Sequence, residues 1–128
     1  MFRTLFWAFV VGGIICCIGE GFGDMYRAVI SGIDEKTVAI YESCTMIFLG
    51  SLLTALGLYD KIGRFAGGGS IIPITGFANS VVSPAMEYNR EGVFFGVCAK
   101  MFVIAGPIIV FGVVASFLVG LVGYFISL

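Results

Sequence analysis

The sequence predicts an all-α integral membrane protein with about three to four transmembrane helices and a broken, re-entrant segment near its middle. Three observations predict it. Hydrophobic residues make up 59% of the chain and charged residues 12%, and the mean hydropathy is +1.09, well outside the range of a soluble domain. The apolar residues fall in runs long enough to cross a bilayer. Between those runs lies GGGSIIPITGFANSVVSP, residues 67–84, apolar enough for hydrocarbon yet interrupted by Gly, Pro, Ser and Asn. Irregular backbone at membrane depth is tolerated only when it is buried in protein or faces a water-filled cavity, so this block points to a pathway through the membrane.

With 128 residues the chain has room for three or four spans of roughly 20 residues. It is expected to form a single polytopic membrane domain over residues 1–128, with no separate catalytic or nucleic-acid-binding domain. A net charge of −1 and scattered basic residues argue against a nucleic-acid partner. A protein this small is expected to act as an oligomer or a hetero-complex if it encloses a pore, with the lipid bilayer as its other partner.

The first span is expected at about 5–22, within MFRTLFWAFVVGGIICCIGEG. Arg3 before an apolar run imitates a secretory signal, but no small-x-small cleavage site follows. The bulky Ile15 before Cys16 argues against lipoprotein processing. A retained helix is the expectation, with Glu20 and Asp24 near its far end. The segment DMYRAVISGIDEKT, 24–37, reads as a charged loop turning at Gly32 and Asp34.

The second span is expected at 38–59, ended by Asp60, Lys61 and Gly63. Ser43, Gly50, Thr54 and Gly57 share one helical face, and small faces let helices approach closely. The final run, 92–127, exceeds one crossing and carries Lys100 and Pro107, so a bend is expected near 106–107. Gly112, Ser116, Gly120, Gly123 and Ser127 form a second small-residue stripe, read as helix packing ahead of pore lining. The cysteines, Cys16, Cys17, Cys44 and Cys98, form no CxxC pair or metal cluster and read as small packing residues.

The central segment, 67–86, reads as a short half-helix or re-entrant element. Gly67, Gly68 and Gly69 permit close backbone approach, Pro73 removes a donor, and Ser83 before Pro84 predicts a second break. Free N–H groups at a half-helix start favour an anion, with Ser70, Thr75, Asn79, Ser80 and Ser83 as neutral donors along the same passage. The alternative is an amphipathic helix on the membrane surface.

Ionisable groups in apolar segments are candidates for function because of their cost. Glu42 either snorkels or enters a polar interior. Glu87 either joins the pathway or pairs with Arg90. Lys100 snorkels, pairs with a partner's acid, or attracts an anion. The chain has no histidine, which excludes an imidazole metal site or proton relay. GGGS without a following Lys is not a phosphate loop, and no nucleophile–base set occurs. No enzymatic activity, metal or cofactor is expected.

The run YDKIGRFAGGGSIIPITGFANSVVSPAMEYNREG at 59–92, followed by GVCAKMFVIAGPIIVFGVVASFLVGL, resembles the stage V sporulation protein AC and AE (SpoVA) membrane family and is nearer the AC branch. The shared pattern is FAG-x-GS, P-x-TGFANS, E-x-x-x-EG and MF-x-IAG. It is strongest from Tyr59 to Leu121 and weaker in FVVGGIICCIGEG at 9–21; the polar N-terminal extension common in the AC branch is missing. The resemblance implies a subunit of a channel in the spore inner membrane. That channel moves dipicolinic acid, as its calcium chelate, into the developing spore and out at germination, with opening under membrane tension associated with AC-type members. It also implies other SpoVA-type membrane subunits and a soluble thiolase-like subunit as partners.

Dipicolinate is a small planar dianion, which suits a passage of half-helix N-termini, hydroxyl and amide donors and an occasional Lys or Arg. Two alternatives are a non-transporting scaffold that anchors the soluble partner, and a tension-gated pore of low selectivity. Arg3, Lys61, Arg64 and Arg90 fall on one side if the central block re-enters, which predicts a cytoplasmic N-terminus.

Overall fold

The computed structural model describes residues 2–127. The chain forms an all-α membrane protein. Its helices are α1 (Phe2–Val29), α2 (Glu35–Ala55), α3 (Tyr59–Ala66), α4 (Gly68–Ile71), α5 (Ile74–Glu87) and α6 (Ala99–Ser127), and there is no strand among the described residues. Three helical stretches are long and apolar enough to cross a membrane: Phe2–Val29, Glu35–Ala55 and Val93–Ser127. Two compact units divide the chain, one ending at Ser83 and the other starting at Pro84.

In the first unit, α1 and α2 pack as a helical hairpin. α1 does not stop near residue 22 but runs on to Val29, so the expected loop over 24–37 shrinks to the turn between Val29 and Glu35. The physical reason lies in the spacing of the charges. Glu20, Asp24 and Arg27 recur at helical intervals on one face, and the Arg27 guanidinium meets Glu20 at 3.0 Å, Asp24 at 2.8 Å and Glu35 of α2 at 3.1 Å. A second tie between the two helices joins Tyr26 Oη and Thr45 Oγ1, 2.7 Å apart. The Thr45 hydroxyl donates to the Tyr41 carbonyl at 2.8 Å, which leaves its oxygen to accept from Tyr26. Glu42 faces α1 where Gly19 and Gly23 make room; a Cβ on Gly19 would lie 3.0 Å from a Glu42 carboxylate oxygen.

α2 ends in a Schellman arrangement: Gly57 N–H reaches the Thr54 carbonyl at 2.9 Å and Leu58 N–H the Leu53 carbonyl at 2.9 Å. This closure needs a left-handed residue, supplied by Gly57 at φ 68°. The expected second span therefore ends before Tyr59, and Gly57 acts in the turn rather than on a packing face. α3 and α4 follow, separated by Gly67 at φ 52°, and both pack on α1. Gly69 is the closest approach, because a Cβ there would collide with the backbone of Ala8. Gly12 opposes it, with Gly69 O only 3.2 Å from a Cβ built at Gly12.

The helix breaks again at Ile72–Pro73 and resumes as α5. Ser83–Pro84 does not produce the expected break: α5 runs through Pro84 to Glu87, and Tyr88 N–H still reaches the Pro84 carbonyl at 3.1 Å. Proline in an apolar helix is accommodated when neighbouring groups satisfy what it frees.

In the second unit, a 3₁₀ turn (Asn89–Glu91) leads through Gly92 at φ 94° into a π-helical stretch (Val93–Cys98) continuous with α6. Gly96 lets this start pass Tyr88, since a Cβ at Gly96 would strike the Tyr88 carbonyl. α6 stays helical through Gly106 and Pro107, and an irregularity not expected from the sequence, the π-helical turn at 93–98, precedes it.

Candidate functional site

The broken stretch α3–α4–α5 places a polar cluster within the first unit. Tyr59 is its centre, 4% exposed because it opens α3 directly beneath the α4–α5 break. Its Oη lies 2.7 Å from the Ser70 carbonyl and 2.8 Å from Thr75 Oγ1. A phenol has one proton and the carbonyl can only accept, so Tyr59 donates to Ser70 and the Thr75 hydroxyl donates to the phenol oxygen. Burial pushes the Tyr59 pKa up, with the Thr75 hydrogen bond opposing. The phenol therefore stays neutral near pH 7 and keeps its proton on the carbonyl.

Thr54 joins the cluster from α2. Its Oγ1 is 2.7 Å from the Gly50 carbonyl and 2.9 Å from Asn79 Oδ1. The single hydroxyl proton serves one of them, and exchanging the ends of the Asn79 amide lets both bonds form together. Gly50 makes this crossing possible, because a Cβ there would sit 3.0 Å from both Thr75 Cα and Thr75 O. Thr54 and Gly50, read from sequence as packing residues, thus also position Asn79 and Thr75. Among the described residues no buried side-chain polar atom lacks a partner.

Beside this cluster opens a cavity of about 320 Å³ lined by Tyr59, Asp60, Gly63, Arg64, Ser70, Ile71, Gly76 and Asn79. That volume falls in the range of small-molecule sites. Asp60 and Arg64 project from successive turns of α3, and the ion pairs among the described residues all belong to Arg27. The cavity therefore presents a guanidinium, a carboxylate, an amide and, at Gly63 and Gly76, wall without side chains. Its chemistry suits a small polar, charged solute.

The structure brings together Ser70, Thr75 and Asn79 of the expected pathway. Pro73 lies at the helix break and lines other cavities against α1. Gly67 is the hinge into α4 and Gly68 is open. Ser80 turns back to the Phe77 carbonyl at 2.7 Å, and Ser83 is half-buried. In the second unit Glu87 is exposed at the end of α5, and Arg90, its expected partner, forms no ion pair among the described residues. Lys100 forms no ion pair with an acid among the described residues; its Nζ stands 4.1 Å over the centre of the Tyr88 ring, a cation–π contact. Gly112, Ser116 and Gly120 are exposed along α6. Sequence reasoning missed Tyr59, Asp60, Gly63, Arg64 and Gly76. The available signal was YDKIGRFA itself, whose Tyr59, Gly63 and Ala66 share one helical face.

The profile of the SpoVAC/SpoVAEB sporulation membrane protein family matches residues 4–122, nearly the whole chain. The chain belongs to this family. It is 49% identical over 117 residues to the stage V sporulation protein AC of Bacillus subtilis (strain 168), covering 91% of this chain and 77% of that protein. No solved structure matches it. The SpoVAC/SpoVAEB match spans both compact units, from α1 into α6. It makes this a sporulation membrane protein of a spore-forming bacterium, and it bears out the resemblance carried by the 59–92 motif.

Proposed function

We propose that this chain is a non-enzymatic channel subunit that passes dipicolinic acid, as its calcium chelate, into the developing spore and out at germination. The observation that carries the reading is the cavity beside Tyr59, where Arg64, Asn79 and Ser70 stand together in a chain otherwise dominated by apolar helices. Polar groups are costly in a membrane protein and concentrate along solute pathways. A guanidinium matches a carboxylate in a bidentate fork, and Asp60 supplies a counter-charge suited to the chelated cation. Membership in a sporulation family supports the same cargo. The site rests on the first unit; Glu87 and Lys100 are not needed for it.

In this reading the protein sits in the spore inner membrane, with other SpoVA-type membrane subunits and a soluble thiolase-like subunit completing the channel. The helix breaks at Gly67 and Pro73 give the cavity walls joints that membrane tension can move. Dipicolinate flux in liposomes, with this protein alone and with its candidate partners, under isotonic and hypo-osmotic conditions, tests the proposal. Flux with the protein alone identifies a self-sufficient pore; flux only with partners makes it one wall of a composite channel. Dependence on osmotic stress identifies tension gating. No flux under any condition, from verified folded protein, would instead make the chain a scaffold.

A further inference from the structure

A second basic site lies at the start of α1, outside the solute cavity. Arg3, Thr4 and Trp7 of α1 and Arg64 and Phe65 of α3 line a pocket of about 200 Å³. The Trp7 and Phe65 rings meet at 4.4 Å between centroids and 53° between planes, which fixes α3 against the first turns of α1 and holds the two arginines around one opening. No acidic residue lines the pocket, and neither arginine forms an ion pair among the described residues. Lys61, on the same short helix, adds a third exposed positive charge.

The setting identifies the ligand. This pocket is at one end of a 28-residue apolar helix, and Arg27 lies near the opposite end, already surrounded by Glu20, Asp24 and Glu35. Unpaired positive charge is therefore concentrated at the Arg3 end, where Arg3, Lys61 and Arg64 stand against Lys36 alone at the other end, which favours the cytoplasmic side, where the leaflet is anionic. A tryptophan beside arginines at a helix end suits the headgroup level, with its ring on acyl carbon and the charges on phosphate. Large exposed side chains flank the opening, with Phe2 88%, Leu5 59% and Phe6 61% exposed, and these provide a surface for acyl chains.

We propose that Arg3, Thr4, Trp7 and Arg64 form a binding site for the phosphate of an anionic phospholipid headgroup. Arg3 and Arg64 donate charge-assisted hydrogen bonds to the phosphate oxygens, Thr4 adds a hydroxyl, and Trp7 seats the glycerol and upper acyl chain. Because Arg64 also lines the solute cavity, headgroup binding and the charge of that cavity share one side chain.

Trp7 is the only tryptophan in the chain, so its fluorescence reports on this pocket directly. The full-length protein in neutral detergent is titrated with short-chain phosphatidylglycerol, short-chain phosphatidylcholine, or inorganic phosphate. A saturable change in Trp7 emission with phosphatidylglycerol alone is expected, weakened roughly tenfold in Arg3→Gln, as befits loss of a charged hydrogen bond, and unchanged in Lys61→Gln. Equal responses to the two lipids, or an unaltered response in Arg3→Gln, would overturn the site. Saturation by inorganic phosphate at the same concentrations would overturn the lipid assignment in favour of a soluble anion. Should Arg3→Gln fail to fold, native mass spectrometry of the wild type decides: retained phosphatidylglycerol in excess over phosphatidylcholine supports the site, and equal retention overturns it.

Discussion

Both compact units carry small residues on their helices and use them differently. In the first unit Gly12, Gly50, Gly69 and Gly76 are filled by neighbouring backbone, and the crossings they allow hold Tyr59, Thr75 and Asn79 in place. In the second, Gly112, Gly120 and Gly123 have nothing within 4 Å of where a Cβ would stand, and Ser116 is exposed. A small-residue stripe thus permits close packing without showing what packs there. Close backbone approach builds a polar site in one unit, while the other leaves a long apolar helix whose small face is open.

That contrast is broken most severely at Gly69. Gly69→Ala drives a methyl into the Ala8 backbone and is expected to destabilise the protein by about 3 kcal/mol, read as a fall in thermal stability in detergent. Gly68→Ala, at an open position one residue away, is the control and should stay close to wild type. Tyr59→Phe comes next. It strands the buried Ser70 carbonyl at an expected cost of about 2 kcal/mol, measurable in the same melts. Lys100→Met removes the cation over Tyr88 and should cost about 0.5 kcal/mol. The smallest effect is expected at Gly112→Leu, within about 0.5 kcal/mol of wild type for the chain alone. A large loss there would show that α6 is already packed through its small face and would erase the difference between the units.

The fold class was legible because hydropathy alone separates a membrane chain from a soluble one. The breaks at Gly67 and Pro73 were legible too, since glycine admits a positive φ that other residues avoid and proline fixes φ and lacks an N–H. The extension of α1 to Val29 was masked by the density of charge over 24–37, which is also what a loop carries; Glu20, Asp24 and Arg27 at helical spacing carried the opposite message. The continuation of α5 through Pro84 was not legible, because sequence does not show which neighbours satisfy the groups a proline frees. Of the candidate site, Ser70, Thr75 and Asn79 came from composition of the central block. Tyr59 and Arg64 did not, because Tyr59 reads as the end of a span and Arg64 as a topology signal, and only tertiary packing brings them onto the same cavity.

The central claim is that dipicolinate passes along the Tyr59 cavity. Its most direct test is dipicolinate flux through the Asn79→Ala variant, in proteoliposomes with partners present and the amount of folded protein matched to wild type. The account predicts severely reduced dipicolinate flux with assembly intact. Undiminished flux from the well-folded, assembled variant would contradict it.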